Sequence, residues 1–222
     1  MRTRVKICCM ASLEEARLAV QAGADAVGFV GPMPSGSGQM ADDEIAEIAA
    51  SVPPPTATFL LTCEVNAAAI ARHVERTRPS VVQVVSHIEV SEAAKLAALL
   101  PATRRVQVIH VEDARALDLI EGYAPYIHAF LLDSGRPGLA IPELGGTGRV
   151  HDWGISAEFV RRSPHPVFLA GGLSPANVTD AIRRVRPFGV DLCSGVRTDR
   201  RLDPNKLSAF MKAVREADQE QS

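Results

Sequence analysis

Phe168-Leu-Ala-Gly-Gly-Leu-Ser-Pro-Ala-Asn-Val178 carries an apolar run into two glycines and then into a helical stretch, and Gly189-Val-Asp-Leu-Cys-Ser-Gly-Val196 repeats the arrangement one unit later. Without side chains, Gly171 and Gly172 let backbone N–H groups face an anion at a helix N-terminus, where the dipole also favours negative charge. Ser194-Gly195 offers the same opportunity. Tandem turns of this kind after a seventh and an eighth strand are where (β/α)8 barrels hold phosphate. The fold therefore depends on whether six similar units precede them.

Working back toward the N-terminus, short β-branched runs alternate with Ala-rich stretches of helical period throughout. Strands are expected at 4–8, 25–30, 56–61, 81–85, 104–110, 127–133, 166–170 and 189–193. Helices are expected at 12–22, 42–51, 65–78, 91–99, 112–123, 155–162, 175–186 and 204–217. Ser12 with Glu15 reads as a capping box at the first helix, and Gly23 as its stop. Pro53-Pro54-Pro55 lies between a helix and a strand and reads as a stiff turn rather than a linker. The pattern predicts an α/β fold, one closed (β/α)8 TIM barrel over residues 1–222, with an open doubly wound sheet as the alternative. The long connections, 31–41 and 134–154, both follow strands, on the side where barrels build their sites.

Composition agrees with a core of aliphatic residues: 46% of the 222 residues are hydrophobic and only 5% aromatic. A formal charge of −2, with 24 basic residues spread along the chain, points to no nucleic acid and no acidic membrane as partner. The N-terminus lacks the apolar core of a signal peptide and no apolar run reaches a membrane span, so a cytoplasmic protein is expected. In a reducing compartment Cys8, Cys9, Cys63 and Cys193 do not read as a disulfide framework. The spacing of Cys8-Cys9 and of the scattered His128, His151 and His165 fits no metal site, and no cofactor is called for.

Val5-Lys-Ile-Cys8, Ala22-Gly-Ala-Asp-Ala-Val-Gly-Phe-Val30, Leu131-Leu-Asp133-Ser134, Gly145-Gly-Thr-Gly148 with Asp152-Trp153, Ala170-Gly-Gly-Leu173 with Asn177-Val178, and Gly189-Val-Asp191 with Ser194-Gly-Val196 follow one another in order along the chain. On these stretches the sequence resembles the phosphoribosylanthranilate isomerases. The resemblance implies an Amadori rearrangement, in which an acid protonates the ribosyl ring oxygen and a base removes the proton on C2. It places the base at Cys8 and the acid at Asp133, both at strand C-termini. It also implies a phosphate grip at Gly146, Gly171, Gly172, Ser194 and Gly195, and a phosphorylated small molecule as partner. A monomer and a homodimer are both compatible with it.

The chain departs from the family at one end of the site. Cys9-Met10-Ala11 stands where the family has Gly-Leu-Thr, and Pro34-Ser-Gly-Ser-Gly-Gln-Met40 replaces a segment whose arginine serves the anthranilate carboxylate. Val85 occupies the position of a family histidine, with His87 two residues later and Gln83 retained as a candidate substrate contact. Arg197 replaces a glutamate, and either adds charge near the phosphate or lies on the surface. Strand alternation puts Lys6 on the face of Cys8, as a cation for the thiol or as partner to a barrel carboxylate, and sends Cys9 outward. His110 reads as a mouth residue or a hydrogen-bonded structural one, and Arg149 as a gate in the long loop. Three functions follow: the isomerase, a paralogue acting on another phosphorylated sugar or aldosylamine, and a non-catalytic phosphate-ligand-binding barrel.

Overall fold

Ala26–Val30 is apolar on both faces, the composition a strand needs when helices cover one side and the barrel interior the other. The computed structural model, which describes residues 2–33, 38–135 and 150–220, contains eight such strands. They are β1 (Arg4–Ile7), β2 (Ala26–Val30), β3 (Ala57–Thr62), β4 (Val81–Val84), β5 (Arg104–His110), β6 (Ala129–Asp133), β7 (Val167–Leu169) and β8 (Gly189–Leu192). They pair in parallel in chain order, and β8 closes on β1 with Lys6 opposite Asp191. The closed barrel, and not the open sheet, is the fold.

Among the described residues, eight α-helices surround it: α1 (Leu13–Gln21), α2 (Asp42–Ser51), α3 (Ala67–Thr77), α4 (Val90–Leu99), α5 (Leu119–Tyr123), α6 (Trp153–Arg162), α7 (Val178–Val185) and α8 (Pro204–Glu220). Among the described residues, no helix is long and apolar enough to cross a membrane. The helix expected over 112–123 is instead a 3-10 turn, Ala114–Asp118, followed by the short α5. Asp113 caps the turn by accepting from Arg115 N–H, while Gly122 weakens α5 and Pro125 stops it from extending. A small hairpin, β9 (Arg197–Thr198) with β10 (Arg201–Leu202), was not expected from the sequence.

Two apolar layers hold the barrel. Phe29, Leu60, Ile109, Phe130, Phe159 and Phe210 are fully buried in the outer core. Phe59, Leu61, Val81, Val106, Leu131 and Phe168 belong to the inner one. Phe59 and Phe168 meet edge to face with centroids 6.1 Å apart, filling the interior at the early positions of their strands. The inward polar side chains of later positions thus open toward the C-terminal mouth.

Candidate active site

Cys8 follows β1 directly and remains buried in the inner layer. Lys6, two residues earlier, is completely buried and donates to Asp191 of β8 at 2.8 Å. Burial alone would depress its ammonium, but the Asp191 carboxylate, and after it the Cys8 sulfur, carry it above the ordinary lysine value. Of the two readings of Lys6, the pairing with a barrel carboxylate is the one the structure shows, and the ammonium also lies close to the Cys8 sulfur. Gly28 on β2 makes this possible, because a Cβ there would lie 2.8 Å from Cys8 Sγ and 3.1 Å from Lys6 Nζ.

Removing one member of such a pair strands the other charge in the interior. Asp191→Asn is expected to cost about 3 to 5 kcal/mol in urea unfolding. A wild-type midpoint for that variant would show that the Lys6 charge is balanced elsewhere.

Asp133 ends β6 and is partly exposed to the mouth. Burial, reinforced by the Asp191 carboxylate, pushes its carboxyl up to about 6, against the opposing pull of Ser134 N–H and of Lys6. Ser134 N–H donates to its Oδ1 at 2.7 Å, which fixes the orientation of the group. A carboxyl in this range releases and regains a proton near neutrality, as a general acid must.

Cys9 corrects the expectation of an outward side chain. Its φ of 61 ends the pleat, so strand alternation no longer applies, and its side chain joins the inner layer. It shares hydrogen bonds with Cys193 and Cys8, and these, with burial, hold its thiol well above the usual range. This left-handed position is the one where the resemblance expects glycine, the residue that adopts it without strain.

Arg197 is not on the surface. Its guanidinium is buried against Glu15 of α1 at 2.9 Å and also donates to the carbonyls of Cys8 and Cys9. Glu15 in turn accepts from the N–H groups of Ala11 and Leu202, so the capping carboxylate reaches one residue beyond the expected Ser12 N–H. Burial favours the protonated carboxyl, yet Arg197 and these N–H groups outweigh it and keep Glu15 below its ordinary value. Two departures from the family, Ala11 and Arg197, therefore meet in one network that ties the segment after β1 to the one after β8.

Gly171 and Gly172 have φ of 82 and 63, two successive positions in the left-handed region that glycine adopts without strain. Asn177 fastens this turn, accepting from Ser174 N–H at 2.8 Å and donating to Gly172 O at 3.0 Å. Ser194-Gly195-Val196 forms a 3-10 turn pressed against it, and a Cβ on Gly195 would collide with the Leu173 carbonyl. The two glycine turns are thus one contiguous surface. His151, read as a scattered histidine, lies beside them, with Nδ1 3.0 Å from where a Cβ on Gly171 would sit.

Gln83 is buried on β4, with Oε1 unpartnered among the described residues. His110 ends β5, with Nε2 2.8 Å from Val85 O and its ring 5.1 Å from that of His87. Burial lowers its pKa, so it is neutral at neutral pH. Gly146 and Arg149 lie outside the described residues. Among the described residues there is no group of three metal-ligating side chains. A cavity of about 600 Å³ opens at the mouth between Cys9, Gly38, Gln39, Cys193, Ser194, Arg197 and Arg200.

Sequence reasoning passed over Asp191, Gly28 and Glu15 as site residues. Asp191 was detectable: it has inward parity on the strand that closes against β1, opposite an inward lysine. Gly28, a lone glycine inside an apolar strand, marks a close approach.

Residues 5–213 match the family described as N-(5'-phosphoribosyl)anthranilate (PRA) isomerase. The N-(5'-phosphoribosyl)anthranilate isomerase of Methanosarcina acetivorans is 34% identical over 228 residues, covering 97% of this chain and 94% of the relative. The crystal structure of phosphoribosyl anthranilate isomerase from Thermotoga maritima superposes with a TM-score of 0.82 at 28% identity, covering 96% of this chain and 99% of that one. A phosphoribosyl anthranilate isomerase in complex with reduced 1-(o-carboxyphenylamino)-1-deoxyribulose 5-phosphate gives 0.80 at 26%, with the same coverage of both chains.

Proposed function

The chain belongs to the N-(5'-phosphoribosyl)anthranilate isomerase family, and on that premise we propose that its mouth carries out the Amadori rearrangement of N-(5'-phosphoribosyl)anthranilate, with Cys8 as general base and Asp133 as general acid. Asp133 gives its proton to the furanose ring oxygen, and the ring opens to an iminium. Cys8, taking part as the thiolate, removes the proton from C2 to leave an enolamine. Tautomerisation yields the 1-deoxyribulose 5-phosphate product, with no change in atom count and no external oxidant or reductant. The observation that carries this reading is the pairing of a carboxyl raised to about 6 at the end of β6 with a thiol beside a buried ammonium at the end of β1.

The contiguous glycine turns hold the phosphate through the N–H groups around Gly171, Gly172, Ser194 and Gly195. Gln83 and His110 line the ring side, and the protein works in the cytoplasm. Relatives named for this isomerase match nearly the whole chain, which favours it over a paralogue or a non-catalytic barrel.

Two measurements test the proposal. Freshly made phosphoribosylanthranilate should lose its anthranilate fluorescence on addition of the purified protein. No decay at high enzyme concentration would sink the reading. Gly195→Ala forces the two turns apart and is expected to raise KM by about 10- to 100-fold, the loss of one or two charge-assisted hydrogen bonds. An unchanged KM would move the phosphate elsewhere.

A further inference from the structure

Asp199 and Arg200 form the two-residue turn between β9 and β10, with φ of 48 and 66. Such a turn needs positive φ at both central residues and favours Asn-Gly or Asp-Gly, so an arginine at the second position is strained. Strain kept at an exposed residue marks a position held for use rather than for packing. The hairpin is rigidly seated: Arg197 donates to Arg200 O at 2.9 Å, Leu202 N–H donates to Glu15 at 2.9 Å, and Lys206 donates to Arg197 O at 2.8 Å.

Arg200 lines the mouth cavity, which runs from Ser194 at the glycine turns to Gly38 and Gln39 of the segment after β2. A ligand of the proposed class carries two anions, the phosphate and an ortho-carboxylate on the aromatic amine. Other cations of this region are already engaged, Lys6 by Asp191, Arg197 by Glu15 and Lys206 by the Arg197 carbonyl. Residues 31–41 contain neither lysine nor arginine. Arg200 makes no ion pair with any described residue.

Resting on the function proposed above, we propose that Arg200 grips the substrate carboxylate from the β9–β10 hairpin while the glycine turns hold the phosphate. The planar guanidinium suits a bidentate carboxylate contact, and the rigid turn presents it at little entropic cost. Specificity for the aromatic acid is then set by the connection after β8.

Two stable probes test this by calorimetry: reduced 1-(o-carboxyphenylamino)-1-deoxyribulose 5-phosphate and the same molecule without its carboxylate. The wild type is expected to prefer the carboxylated probe by about 10- to 100-fold. Arg200→Gln should collapse that preference to about threefold or less, leaving the uncarboxylated probe bound as before. Arg200→Gly should lose the preference too while melting at a higher temperature, because glycine relieves the turn. A preference that survives in both variants overturns the inference, as does equal weakening of both probes, which would assign Arg200 to the phosphate. Failure of the wild type to bind either probe would instead overturn the proposed function and this inference with it.

Discussion

Asp133→Asn is expected to lower kcat/KM by about 10²- to 10⁴-fold and yet to stabilise the protein at pH 8. The carboxyl lies near 6 in the folded chain, against 3.8 as its ordinary value. The folded state therefore holds this proton more tightly than the unfolded one. The resulting stability is fully present below about pH 4 and is lost as pH rises through about 6. Above that, the ionised carboxylate beside Asp191 is a burden that the amide removes, worth about 1 to 3 kcal/mol. Ser134 N–H keeps its acceptor in the variant. Urea unfolding at pH 4 and pH 8 should show the two proteins converging at the lower pH and the variant ahead at the higher one. A variant less stable at pH 8 would mean that the carboxylate is held by partners stronger than Ser134 and Lys6. In the wild type, kcat/KM should fall above about pH 6, and Asp191→Asn should move that limb to lower pH, since the Asp191 charge helps to raise Asp133.

Cys8→Ala is the second large effect, a loss of about 10²- to 10⁴-fold in kcat. The informative comparison is its neighbour. Cys9 is also buried at the mouth, but its hydrogen bonds with Cys193 and Cys8 keep it a neutral thiol, unsuited to proton abstraction. Cys9→Ala should therefore retain activity within about tenfold. If Cys9→Ala were inactive and Cys8→Ala active, the base would have to be reassigned to Cys9.

Much of the barrel was legible because its signals are local. Apolar runs such as Ala26–Val30 and the glycine stops at Gly23 and Gly171-Gly172 depend on nearest neighbours, and the parity that sets Lys6 beside Cys8 depends on the pleat alone. The same parity failed one residue later, because Cys9 adopts a left-handed backbone that ends the strand pleat, and strand alternation no longer places its side chain. Arg197 was ambiguous for a related reason: its partner Glu15 is 182 residues away. The short α5 was a local misreading, in which Gly122 and Pro125 were given too little weight.

The sequence by itself determined the closed parallel barrel and the end of it where such folds build their sites, because strand period and turn chemistry are properties of short segments, whereas the proposed roles of Cys8 and Asp133 came from the family resemblance. Only the tertiary structure decided that Lys6 is neutralised by Asp191, that Asp133 is pushed toward neutrality, and that Arg197 is spent on Glu15 while Arg200 faces the cavity. Each of these is an electrostatic balance between strands or loops distant in the chain, set by burial and by which opposite charge the closed barrel brings within about 3 Å, a distance that no local pattern encodes.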